Sequence, residues 1–507
     1  MAGDFSHYQI LMQGKTAAGI IEPLQSSSGK LQACVEFQDS PALDAFSRLR
    51  VSQSTTLFDS QTEYGLDTIF SWDCAANGTP SSLLSPNGSV ASGGNSVGPR
   101  NAATRLTPIT CSATNNHYAV LQSRQYLRYT PGFSQLIFVT GVFATNASYT
   151  ANIVLRTSTG GSPSDTRSIA QTAWNIDKFD GTGPSGITSL DLTKTQILFV
   201  SAQWLGVGRV VVGFDINGQL YPAHQFLNAN VIALPYTQTF NLPVRLEART
   251  SGATTLARAG YFDANNGVLL ETVNTGAGGT LNFCCASVQS EGSKPVQGTP
   301  KSQLSSVTAT TVTTRRPVFS IRPSELYQGL TNRALIELGD YWLTAGTSSS
   351  IYEIVAGGIL GGASWKAVGQ TTTTGAFVTG IRYKITNVGD TNFTLIGASA
   401  NTVGVSFVAT GAGGGTTGTA AAEYSCAEYD VSATTITSGV TIITGEVLSG
   451  SGSARGISSG AIDLRTYLTL SKIDALTANQ LPISVVCTST SGNSTIRAGI
   501  NWRETTV

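Results

Sequence analysis

The sequence predicts an all-β protein of several β-sandwich or jelly-roll-like domains, led by an N-terminal arm. Three observations predict it. Only 12% of the 507 residues are charged, against 41% hydrophobic. That is about half the usual charged share, so the Glu, Lys and Arg that build helix surfaces are scarce. β-branched and small turn-forming residues are common, with 55 glycines, which favours strands joined by turns. The third observation is a hairpin. Residues 209–216 are β-branched and apolar, Asn217-Gly218 is a turn pair, and residues 219–226 alternate again. Asn-Gly suits a two-residue type I′ turn, because both central residues accept positive φ.

A two-residue loop fixes the hairpin register. Ile216 then faces Gln219, Asp215 faces Leu220 and Val211 faces His224. Val210, Val212, Phe214 and Ile216 share one face with Tyr221 and Ala223; Val211, Leu220, His224 and Phe226 take the other. Pro222 has no N–H to donate, which places the second strand at a sheet edge.

Formal charge balances, with 30 basic and 30 acidic residues, and neither sign forms a long run. Nucleic-acid binding needs a basic stripe to neutralise phosphates, and none is visible, so no nucleic-acid partner is expected. The start, MAGDFSHYQILMQ, lacks a basic segment followed by an apolar stretch, so no secretory leader is expected. No apolar run of about 18 residues predicts a membrane span. The seven cysteines are widely spaced and include no C-x-x-C pair, which argues for free thiols over structural zinc. Adjacent Cys284 and Cys285 on a strand are expected to point to opposite faces, one buried and one outward.

Taken in order, residues 1–38 read as an arm: two short apolar runs broken by Gly14, Gly19, Pro23 and serines, too little to fold alone. A main β domain is expected over 39–295. Within it, residues 75–103 are rich in Gly, Pro, Ser and Asn and read as an exposed excursion or a turn array. Strands are expected at 118–129, 135–143, 151–156 and 196–202, with one short helix near 170–179. Residues 296–316 are Ser/Thr-rich and read as a linker or a long edge crossing. A second β domain is expected over 317–507. Its strand candidates are 318–322, 334–342, 351–355, 435–443, 467–472, 481–487 and 495–502. Residues 375–420 interrupt it as an inserted small β module, placed on the surface because insertions sit on exposed loops.

Several segments resemble a family of tailed-bacteriophage virion structural proteins. DAFSRLRVSQSTTLFDSQTEYG near residue 44 is similar to a segment near the start of that family. RQYLRYTPGFSQLIF is similar as well, as is GFDINGQLYPAHQFLNANVIALPYTQTFNLPVRLEA with its Asn-Gly turn, His224, Asn230 and the Asn241-Leu242-Pro243 step. NFCCASVQSEGS resembles it too, except that Ser293 stands where a second glycine belongs. The insert resembles a small module of phage tail and fibre proteins through Tyr383-Lys384-Ile385, Val388-Gly389-Asp390-Thr391, Phe393, Ile396-Gly397-Ala398 and Asn401. The resemblance implies a non-enzymatic virion component of the tail, baseplate or a fibre, assembled in the bacterial host cytoplasm. It implies a homo-oligomer, expected as a trimer, with other phage virion proteins as partners. A capsid-decorating, cement or head-fibre protein is the alternative, and a glycan-degrading receptor-binding protein a third reading.

Residue chemistry adds little to that. His224 has no histidine partner at metal-ligand spacing and reads as a buried structural side chain. Glycan cleavage needs paired carboxylates; the acidic stretches 39–44, 59–67 and 423–430 are sparse, and Glu423 and Glu428 are expected at strand ends. Gly206-Val207-Gly208 precedes a strand where a dinucleotide fingerprint needs a helix. Two G-x-S-x-G matches, at 94–98 and 456–460, lack the strand-turn-helix context of a nucleophile elbow. The turn Asp263–Gly267, with Glu271 as distal carboxylate, is a calcium candidate or a plain hairpin turn. No catalytic residue, cofactor or metal is assigned. Trp365 and Tyr383, near the insert, are the candidates for surface adhesion to a host glycan.

Overall fold

The computed structural model describes residues 54–449 and 482–505, together with short strands at 13–15, 21–23, 458–459 and 469–470. Within these spans it omits 64–68, 77–78, 82–89, 124, 160–161, 164–165, 264–265, 293–297, 306–309, 325, 329, 333, 347 and 370. Of the arm expected over 1–38, only the antiparallel pair Gln13–Lys15 and Ile21–Pro23 is described; the rest lies outside the described residues.

The first half folds as a sandwich of two antiparallel sheets. One sheet runs, from its edge, Gln219–Phe226, Val210–Ile216, Gln196–Ala202, Gln135–Val142, Gly279–Ser290, Thr107–Cys111, Asn95–Val97 and Val90–Ser92. Thr55–Gln61 pairs with Gly279–Ser290 along the same side as Thr107–Cys111. The facing sheet runs Arg167–Ala170, Tyr149–Arg156, Gly267–Thr275, Thr254–Phe262, Val244–Ser251, Tyr118–Ser123, Phe70–Ala76 and Thr79–Ser81. Val210, Val212 and Phe214 of the first sheet and Val244, Leu246 and Ala248 of the second belong to one hydrophobic core. This is the period-2 rule at work, since alternate residues of each strand face the partner sheet.

The hairpin forms as the Asn-Gly pair demands: φ is 58° at Asn217 and 82° at Gly218, and Asp215 Oδ1 accepts the Gly218 N–H at 3.0 Å. Gln219–Phe226 is a sheet edge, as Pro222 predicts. The register holds for four pairs, then corrects. Pro222 lies opposite Gly213 and His224 opposite Val212, so Ala223 is an extra residue. A bulge exchanges the faces of everything beyond it. His224 therefore faces Val212 rather than Val211, and Phe226 joins the core with Val210.

A second bulge explains the cysteines. Thr140 pairs with Cys285 and Gly141 with Phe283, leaving Cys284 as the extra residue. Both thiols are consequently half-buried, instead of one in and one out, and the six described cysteines are unbonded. Two other expectations also change. Part of 75–103 is ordered strand, with Asn95 and Val97 fully buried. The expected short helix is a single 3-10 turn, Gln171–Ala173.

A second sandwich follows. One sheet is ordered Thr299–Leu304, Ser494–Thr505, Leu335–Ala345 and Ser458–Ser459, with Thr310–Val312 and Thr469–Leu470 added at its ends. Its partner runs Lys366–Ala367, Ala427–Asp430, Arg316–Pro323, Ile483–Ser489, Ser350–Ala356 and Val440–Val447. Ile336, Leu338, Tyr341, Ile500 and Trp502 meet Phe319, Ile321, Ile354 and Val485 in its core. The stretch expected as a linker thus supplies an edge strand and a second short strand, both paired with Ser494–Thr505. Polar alternation in TPKSQL is what a strand with one solvated side looks like.

The insert builds its own four-stranded sheet, in the order Thr371–Thr373, Thr419–Ala422, Arg382–Asn387 and Ser406–Val408. Its two flanks pair with each other, Thr371 opposite Ala421. Phe377, Tyr383, Phe393 and Phe407 form a separate small core. Asp390 ties the sheet to a loop by accepting hydrogen bonds from the backbone N–H and hydroxyl groups of Thr416 and Thr417, each between 2.8 and 3.0 Å.

Candidate functional site

The structure separates the two aromatic candidates. Tyr383 is 3% exposed and its ring centroid lies 5.0 Å from that of Phe377; its hydroxyl accepts the Val378 N–H at 3.1 Å. It is a core residue of the insert and offers no adhesive surface. Alternation accounts for this, since Tyr383 and Ile385 share the inward face of Arg382–Asn387. Trp365 is half-buried, and the Arg322 guanidinium sits over its ring, 4.0 Å from the centroid. Arg322 also binds Glu428 at 2.6 Å, and Lys384 of the insert binds the same carboxylate at 3.3 Å.

The remaining sequence candidates resolve into structural roles. His224 is 6% exposed and its Nδ1 accepts the Asn175 N–H at 3.2 Å. Burial, then repulsion from Arg167, pushes its pKa down to about 4. Glu428 lies within strand Ala427–Asp430 and is buried, whereas Glu423 follows the end of Thr419–Ala422 and accepts from the Ser406 hydroxyl. Asp263 and Asn266 close a tight turn on each other at 2.7 and 2.8 Å. Glu271, the distal carboxylate of the calcium reading, is held by Arg258 at 2.6 Å instead. Ser96 pairs inside a short antiparallel ladder. Acidic stretch 39–44 lies outside the described residues, and Ser458 of the second G-x-S-x-G pairs with Leu343 on the short strand Ser458–Ser459. No group of three His, Cys, Asp or Glu side chains that could hold a metal occurs among the described residues.

One constellation that sequence reading missed lies on the outer face of the second sandwich. Leu335–Ala345 pairs with Ser494–Thr505, and the register jumps between Leu338 and Tyr341, so Gly339 and Asp340 bulge out opposite Asn501. Before the bulge Ile336 and Leu338 face the core; after it Tyr341, Leu343 and Ala345 do. Strict alternation from Ile336 would have buried Asp340 and Trp342. The bulge turns both outward, and a Gly-Asp step inside a strand is the signal that could have shown it.

Cross-strand partners share a face, so the register sets out rows on this surface. The first is Leu304, Gly499 and Trp342. The second is Ser302, Asn501 and the bulged pair Gly339 and Asp340. The third is Pro300, Arg503 and Glu337. Leu304 is 42% exposed and Trp342 half-buried. An open groove of about 390 Å³ runs over the second and third rows, lined by Pro300, Lys301, Ser302, Gly339, Asp340, Asn501, Trp502 and Arg503. Glycine at 499 is required: a Cβ there would stand 2.5 Å from Nε1 and Cε2 of Trp342.

No family model and no curated protein matches the chain. Among solved structures, a lectin from Bauhinia forficata in complex with GalNAc aligns with 47% of this chain and 98% of its own, at 10% identity and a TM-score of 0.16. The carbohydrate recognition domain of Emp46p in its potassium-bound form aligns with 46% of this chain and 95% of its own, at 9% identity and a TM-score of 0.15. Scores this low establish no shared fold and carry no argument about ligand or activity. The protein is a multi-sandwich all-β protein with an additional small β module.

Proposed function

We propose that the chain is a non-enzymatic structural component of a tailed-phage virion, part of the tail, baseplate or a fibre, acting in assembly and host adhesion. The observation that carries the reading is the distributed sequence resemblance, from the segment near residue 44 through the Asn217-Gly218 hairpin to residue 292, joined by the tail-type insert. The architecture suits the role. Two antiparallel sandwiches follow each other along the chain, each with its own buried core. Low charge and many small side chains favour extensive contacts between subunits, here in a homotrimer.

The test is to separate purified particles into head and tail fractions and locate the chain by immunoblot. Recovery with tails, at a few to several dozen copies per particle, supports the reading. Exclusive recovery with heads, at hundreds of copies, transfers the chain to capsid decoration.

A further inference from the structure

We infer that the groove beside Trp342 binds a neutral pyranose saccharide. A pyranose ring presents an apolar C–H face, which stacks on an aromatic ring, and a rim of vicinal hydroxyls, which pairs with planar polar side chains. The outer face of the second sandwich places both kinds of partner in adjacent rows. Trp342, laid against Gly499, supplies the aromatic platform. One row away, Ser302, Asn501 and the bulged Asp340 offer a hydroxyl, an amide and a carboxylate. The side chains of Ser302, Asp340, Asn501 and Arg503, which line the groove, form no hydrogen bond or ion pair with another described residue. Their donors and acceptors are open to a ligand.

Size and charge narrow the class. At about 390 Å³ the groove lies in the lower part of the roughly 300–1,000 Å³ range of small-molecule sites, with room for a mono- or disaccharide. Arg503 and Asp340 bring opposite charges to the lining, so the groove favours neither an anion nor a cation. The inference holds whether the chain belongs to a tail or a head, and its failure leaves the particle assignment standing.

The experiment is saturation-transfer NMR on the full-length chain with lactose, maltose and N,N′-diacetylchitobiose, and with N-acetylneuraminic acid as the acidic comparator. The expected result is transfer to ring C–H protons of at least one neutral disaccharide. Trp342→Ala and Asp340→Ala should each weaken its titrated affinity by at least about tenfold, as truncation of a central contact does, and Trp365→Ala should leave it unchanged. Should Trp342→Ala fail to fold, Asp340→Ala and Asn501→Ala carry the same expectation. No transfer to any neutral disaccharide, transfer to the acidic sugar alone, full affinity in both the Asp340 and Asn501 variants, or loss of binding in Trp365→Ala would overturn the inference.

Discussion

Trp342 and Gly499 lie directly opposite each other on paired strands, and the indole occupies the space that a side chain at 499 would need. Gly499→Ala must therefore move the ring or the strand. An overpacked contact of this kind costs about 1–3 kcal/mol. Urea denaturation should show that loss, and the double variant with Trp342→Ala should recover most of it, because the clash needs both partners. Additive losses would mean that the two positions are not coupled as described.

A second prediction concerns the outward face of the first sandwich. Glu247 accepts from Arg245 at 2.9 Å and from Arg258 at 3.0 Å, Arg258 reaches Glu271 at 2.6 Å, and Arg245 donates to Gln122 at 2.8 Å. Burial raises the Glu247 pKa, but Arg245, then Arg258 and Arg156, overcome it and hold the carboxyl well below the usual range. Glu247→Gln removes the buried carboxylate that Arg245 and Arg258 share and should cost about 3–5 kcal/mol. A folded pKa below the unfolded one stabilises at pH values above the unfolded pKa. The contribution is lost as pH falls below about 4, and the variant should show a shallower acid limb in a pH series of melting temperatures.

His224 makes a distinct pH prediction. Its neutral ring accepts the Asn175 N–H, and its pKa falls from 6.5 to about 4. Between those values the unfolded chain binds the proton and the folded chain does not. Stability should decline as pH drops from about 6.5 to 4, by at most about 3 kcal/mol, and no further below. His224→Gln should flatten that interval. An unchanged slope would contradict the assignment.

The insert should open independently. Its aromatic core is small, and Tyr383→Ala removes a ring whose centroid is 5.0 Å from Phe377 and 6.0 Å from Phe407. Losing a buried aromatic side chain costs about 3–5 kcal/mol, more than so small a sheet withstands. Limited proteolysis should then cut within residues 371–422 while both sandwiches stay protected. Unaltered cleavage would show that the module draws its stability from elsewhere.

The fold class was legible because alternation and turn chemistry are local. Asn217-Gly218 set the first four pairs of its hairpin, and Pro222 marked the edge. What alternation could not carry was the count beyond a bulge. An extra residue at Ala223 moved His224 and Phe226 to the other face, and the pair Gly339 and Asp340 did the same to Trp342. The candidate groove was hidden for that reason, since its residues come from three strands far apart in sequence whose facing depends on one bulge. Tyr383 erred in the opposite sense. Nearness to an exposed insert said nothing about the direction of its side chain, which the period of Arg382–Asn387 turned inward. Glu247 reads in sequence as one acid among basic neighbours; only the pairing with Thr254–Phe262 brings Arg258 to it.

The virion assignment is the central claim, and a map of the intact particle at moderate resolution tests it most directly. The account predicts density for tandem β-sandwiches repeated about a threefold axis in the tail, baseplate or a fibre. Density for the same sandwiches confined to the head surface, or absent from the particle, would contradict it.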